Sequence, residues 1–133
     1  MNTAELIARA RRAAASAKVL FDIGDMGGAC NRAYYAMFDA ARAALLTTGN
    51  EPPKSEAIKT HSGLIAAFSL HLIKAGRIPT PFGKSLRQAD QIRLIADYAD
   101  DDPDRETVLS SIEQANRFIE AVVNYLESLP RSS

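Results

Sequence analysis

From Val108 onward the apolar residues Val108, Ile112, Ala115, Ile119, Val122, Leu126 and Leu129 recur at alternating intervals of four and three. That spacing keeps them on one side of a 3.6-residue helix and turns Glu113, Glu120 and Glu127 away from it. A chain with such a face must bury it, and no stretch of the sequence alternates with the period of two that a strand requires. Upstream, Leu6, Ala10, Ala13, Ala17 and Leu20 predict a helix over residues 3–22, opened by an Asn2/Glu5 capping box and closed at Gly24. From Asp25 to Thr48, Tyr34, Met37, Ala41 and Ala44 form a longer stripe, widened by Tyr35, Phe38 and Leu45 and stopped by Gly49 and Pro52-Pro53. Ser55 precedes a third stripe, Ile58, His61, Ile65, Phe68 and Leu72, which ends at Gly76 and Pro79. Thr80-Pro81 opens a fourth along Phe82, Leu86, Ala89, Arg93 and Ala96, and Asp102-Pro103 repeats that start signal before the last helix. The expected fold is all-α: one domain over residues 1–133, an antiparallel up-and-down bundle of four to five helices with short connections.

Alanine runs such as Ala13-Ala14-Ala15 and Ala40-Ala41 favour helix and let helices approach closely. The single Cys30 has no intrachain disulfide partner and is expected to be a small core residue. With no secretory signal pattern at the N-terminus, a cytoplasmic protein is expected. The longest apolar stretch, Leu64 to Ile73, is interrupted by Ser69 and His71 and is too short for a bilayer, so no membrane association is expected. Net charge is zero, yet residues 1–96 hold 13 Lys and Arg against 7 Asp and Glu, while residues 97–133 hold 3 against 9. A basic body and an acidic last helix could steer an anion to one face and a basic partner to another.

Two local patterns imitate sites and fail on physical grounds. Gly76 to Ser85 ends in Gly-Lys-Ser, but two prolines interrupt the amides that would cradle a phosphate, and a helix precedes the segment where a phosphate-binding loop needs a strand. The imidazole and thiol ligands are Cys30, His61 and His71 alone. On one helix the two histidines would stand about 15 Å apart along the axis, so no metal and no cofactor is expected.

Three segments carry a family resemblance: Asn31-Arg32-Ala33-Tyr34-Tyr35-Ala36-Met37-Phe38 in the second helix, Lys59-Thr60-His61-Ser62-Gly63-Leu64 at the third, and Arg93-Leu94-Ile95-Ala96-Asp97-Tyr98 at the end of the fourth. In this order and spacing they resemble the small HEPN-domain proteins of bacteria and archaea. The resemblance implies a helical homodimer, RNA as target and a minimal nucleotidyltransferase antitoxin as partner. In active members an Arg followed four to six residues later by His forms a metal-independent ribonuclease site at the dimer cleft. The chemistry needs a base for the ribose 2′-hydroxyl proton and a guanidinium for the phosphate.

Here Arg93 is present, but Asp97 and Tyr98 stand where the histidine would be. Neither titrates near neutrality as histidine does, so activity by the usual route is expected to be weak or absent. His61 is the alternative base, with Arg93 or Arg32 on the phosphate. The candidate catalytic residues are therefore Arg93, Asp97, Tyr98 and His61, with Asn31 and Arg32 as RNA- or nucleotide-binding residues. The resemblance also makes Tyr98 the acceptor for AMP transferred by the partner. Each residue has a plainer alternative. Arg93 could serve only to pair with Asp90 and Asp97 along its helix, His61 could be a hydrogen-bonded core residue, and Tyr34 and Tyr35 could be packing residues with a polar tip. On those alternatives the protein is a non-catalytic dimeric interaction module that binds nucleotide or a protein partner.

Overall fold

The computed structural model describes residues 1–49, 61–98 and 102–130. Helix α1 (Thr3–Asp22) begins with the expected capping box: Glu5 N–H donates to Asn2 Oδ1 at 2.8 Å, and Asn2 N–H donates back to Glu5 Oε1 at 3.2 Å. It ends at Gly24, whose φ of +88° is left-handed, and the following Asp25 N–H returns to the Leu20 carbonyl at 2.8 Å. Asp25 then caps α2 (Met26–Leu46) by accepting from Gly28 N–H at 2.9 Å. Three residues thus close one helix and open the next, which folds α1 back along α2.

Helix α3 (His61–Phe68) continues directly into a π-helical turn, Ser69–Ile73, closed by Lys74 N–H donating to the Ser69 carbonyl five residues earlier at 2.8 Å. Helices α4 (Pro81–Tyr98) and α5 (Arg105–Ser128) complete the bundle. Among the described residues there is no strand, as the periodicity predicts.

Two sequence expectations need adjusting. The third stripe is not uniform α-helix, because the π turn shifts the register after Phe68. The last helix is capped by Asp104, which accepts from Thr107 N–H at 2.7 Å, so Asp102-Pro103 lies before the helix rather than at its cap. Either aspartate has the chemistry of a cap; the second has the extended backbone that aims its carboxylate at the open first turn. The predicted start at Ser55 and the stripe residue Ile58 lie outside the described residues.

Helix α2 is the centre: it touches every other helix and is buried over most of its circumference. The alanines make this possible. Ala10, Ala14 and Ala17 on α1 meet a helix that carries Ala33, Ala36, Ala40 and Ala44, all enclosed in the same core as Leu64, Phe68, Leu72, Phe118 and Val122. Every residue predicted for the last stripe from Val108 to Val122 is buried. Close approach leaves no room for growth at these positions. Ala40→Leu should therefore cost about 1–3 kcal/mol of stability, read by urea denaturation, whereas Ala66→Leu on the exposed side of α3 should be close to neutral.

Candidate functional site around Arg93 and His61

Burial forces the polar residues of α2, α3 and α4 to find one another. Tyr34 lies on the inner face of α2 and is fully buried, so its hydroxyl needs a partner. It finds His61 Nδ1, 2.8 Å away, at the first turn of α3. The imidazole stands among three aromatic rings of α2, with centroids at 5.5 Å for Tyr34, 5.8 Å for Tyr35 and 5.1 Å for Phe38. Arg93 reaches the same group from α4. Its guanidinium carbon stacks 4.7 Å from the Tyr34 ring centre, and the residue is only 9% exposed.

Two carboxylates of α4 hold that cation. Arg93 Nη2 donates to Asp90 Oδ1 at 2.8 Å, one turn before it, and Nη1 donates to Asp97 Oδ2 at 3.2 Å, one turn after. Asp90 is the more buried and closer partner; Asp97 stands at the rim. The remaining guanidinium nitrogen, Nε, is buried without a hydrogen-bond partner. Such an orphaned donor costs about 1–3 kcal/mol. It is tolerated here because the ring below and the two charged hydrogen bonds hold the guanidinium in place.

The electrostatics follow from the packing. Burial pushes the His61 pKa below its ordinary value of 6.5, and the positive charge of Arg93 pushes the same way, with Asp90 opposing. Burial, reinforced by Asp90, holds the Tyr34 phenol well above the usual tyrosine range, so it remains an O–H group. A protonated phenol beside a neutral imidazole allows two tautomers. Tyr34 can donate to Nδ1, or Nδ1–H can donate to the phenol oxygen and leave the Nε2 lone pair free. Burial, together with the negative charge of Asp97, raises the Cys30 thiol to about 11, and the thiol donates to Gly27 O at 3.2 Å, so this cysteine is an inert core group.

Of the residues singled out in the sequence, Arg93, Asp97 and His61 converge. Arg32 stands one ring further out, with its guanidinium carbon 5.2 Å from the Tyr35 ring centre, and an Arg32 nitrogen is 3.5 Å from Asn31 Oδ1. Tyr98 does not join them: it is 84% exposed and projects from the end of α4. Asp90 and Tyr34 are the members that sequence reasoning undervalued, the first as a helix-stabilising neighbour and the second as packing. A signal existed, since a tyrosine and a histidine, each inside an apolar stripe of a different helix, must either pair or leave two polar groups unsatisfied. The described residues contain no cluster of three metal-ligating side chains, and no helix among them is long and apolar enough to cross a membrane.

The coupling of His61 to Arg93 is measurable. The imidazole should titrate below 6.5 by NMR, and Arg93→Gln should move its midpoint upward, because the repelling charge is lost while Asp90 remains. The sign for stability follows from the same shift. Below about pH 6.5 the unfolded chain takes up the proton before the folded chain does, so His61 contributes a loss of stability as pH falls toward its folded midpoint. An unmoved midpoint in Arg93→Gln would show that the two groups do not sense each other.

The arrangement has counterparts in known proteins. The HEPN domain family matches residues 3–126. A protein of Methanocaldococcus jannaschii named "putative toxin" is 33% identical over 124 residues, covering 93% of this chain and 88% of its own length. A UPF0332 protein of Gloeobacter violaceus is 32% identical, covering 92% of this chain and 94% of its own length. A UPF0332 protein of Thermotoga maritima is likewise 32% identical, with coverage of 93% and 90%. With its helical bundle and a match that spans nearly its whole length, this chain belongs to the HEPN domain family.

Proposed function

We propose that this protein is a toxin-like HEPN protein that acts on RNA, with His61 as base and Arg93 as the phosphate-binding cation. One observation carries the proposal: a neutral imidazole, held by the Tyr34 hydroxyl, shares the Tyr34 ring with a buried guanidinium. The name borne by the Methanocaldococcus relative supports the toxin-like part. In the tautomer with Nδ1–H on the Tyr34 oxygen, His61 Nε2 takes the proton from a ribose 2′-hydroxyl. The 2′-oxygen then bonds to the adjacent phosphorus and the bond from phosphorus to the 5′-oxygen breaks. The leaving oxygen takes a proton from the imidazolium, and a 2′,3′-cyclic phosphate end remains. Arg93 offsets the charge gathering on the phosphate oxygens, with Asp97 at the rim giving way to the incoming anion. Asn31 and Arg32 lie where the strand would continue. The protein works as a homodimer in the cytoplasm, where the exposed Leu94, Ile95 and Tyr98 of α4 face the second copy or the partner.

A second reading has its own support. Both terminal nitrogens of Arg93 already hold carboxylates, so an anion must displace one of them. A bundle in which Arg93 only ties α4 to α2 would be an interaction module without catalysis. Incubation with single-stranded and structured RNA in chelator-treated buffer separates the two. Slow cleavage with cyclic phosphate ends is expected, falling by at least about 10²-fold in His61→Ala. Cleavage that survives His61→Ala sinks the assignment of the base; no cleavage at all, with a folded dimer, favours the module.

Tyr98 is the proposed site of silencing by a minimal nucleotidyltransferase partner. Its phenol oxygen would attack the α-phosphate of ATP and expel pyrophosphate, leaving an AMP ester. Full exposure of the side chain suits an acceptor that a second enzyme must reach. Tyr98→Phe should leave the melting temperature unchanged and block the mass increase of one AMP on treatment with the cognate enzyme. Retained modification would move the acceptor elsewhere.

A further inference from the structure

Helices α3 and α4 meet closely at one place, where a Cβ added to Gly83 would come within 3.1 Å of Ile73 Cγ1. Between that contact and the Arg93–His61 group lies an open groove of about 390 Å³. Its α3 wall includes Ser62, Ile65 and Ser69, and its α4 wall is Arg87, Asp90 and Gln91. Spacings of three and four put each set on a single helix face. The volume lies in the range of small-molecule sites.

Three observations distinguish this groove from the other clefts of the bundle. Asp90 is shared: its Oδ1 holds Arg93 at 2.8 Å, while its Oδ2 has no hydrogen-bond partner among the described residues. Arg87, one turn earlier on the same wall, has no ion-pair partner among the described residues either. The α3 wall ends in the π turn, whose closing hydrogen bond is accepted by the carbonyl of Ser69, itself part of the groove. Single π turns inside helices concentrate at functional sites, because they trade backbone hydrogen-bond quality for a displaced side chain.

We propose that this groove is the subsite for a guanine base in the RNA strand whose phosphate lies at Arg93. Arg87 donates to O6 and N7, and Asp90 accepts from N1–H and the 2-amino group, while Ile65 supplies an apolar floor. The order of groups fits the spacing. Two acceptors followed by two donors run along one edge of guanine, and Arg87 and Asp90 follow each other at about 4.5 Å of helix rise. Adenine places an amino group where O6 would be and so opposes Arg87. Uracil offers a single acceptor and a single donor and is the nearest competitor. The subsite rests on the RNA reading above, and through Asp90 it links base recognition to the group that holds the phosphate-binding arginine.

Binding of mononucleotides to the full chain tests it without requiring cleavage. Calorimetric titration with 3′-GMP, 3′-AMP, 3′-UMP, 3′-CMP and inorganic phosphate should give at least about ten-fold tighter binding of 3′-GMP than of 3′-AMP, with 3′-UMP between them. Arg87→Ala should weaken 3′-GMP by about ten-fold and leave inorganic phosphate unchanged. Ala66→Phe, at an exposed position lining the groove, should do the same by filling it. Circular dichroism of both variants confirms that the fold persists. Equal affinity for the four nucleotides, absence of nucleotide binding, or a guanine preference untouched in both variants would overturn the subsite. Guanine discrimination without any RNA cleavage would sink the ribonuclease reading and keep the subsite; cleavage indifferent to base would do the reverse.

Discussion

The contact between Tyr34 and its two polar neighbours organises the functional end of this bundle. A tyrosine with no exposed surface on the most enclosed helix must satisfy its hydroxyl internally, and the position of His61 on α3 answers that need. The same ring offers its face to Arg93, which brings α4 to the same point. Three helices are thereby registered through one side chain. Deleting the hydroxyl would leave His61 without its hydrogen bond, and deleting the ring would leave a buried guanidinium over a void.

Charge is balanced within that group with little help from solvent. A buried guanidinium is tolerable only with partners, and Asp90 and Asp97, one turn on either side, supply them from the same helix. The balance is uneven in a useful way. Asp90 is close and half-enclosed, whereas Asp97 is longer and at the rim, so the outer bond is the one an incoming anion can replace. This asymmetry is what allows a structural ion pair to double as a phosphate site. His61 is kept neutral by burial and by the same cation, which gives a base in its working form at neutral pH without a carboxylate to orient it.

Small residues make the arrangement possible at a distance. The alanines of α1 and α2 let those helices approach closely and leave α2 free to present its larger side chains, Tyr34, Tyr35 and Phe38, toward α3 and α4. At the opposite end of the α3–α4 pair, Gly83 admits Ile73, and the π turn adjusts the register of α3 after Phe68. Helices pinned at one end by a glycine contact and at the other by a polar cluster leave a groove between them.

How much of this was legible in the sequence depended on whether the signal was periodic or relational. Helix existence, order and most boundaries follow from three-and-four spacing, caps and prolines, because these are local properties of one helix and its ends. The expectation that Arg93, Asp97 and His61 belong together came from motif order, and the bundle does bring them to one place. The cap at Asp104 and the π turn were not legible: two aspartates with equal chemistry compete for one cap, and a register shift depends on what the helix packs against. The role of Asp90, the hydroxyl-to-imidazole bond of Tyr34 and the exposure of Tyr98 were decided only by tertiary structure. Each depends on which faces of separate helices meet, a distance between residues far apart in the chain that no local pattern encodes.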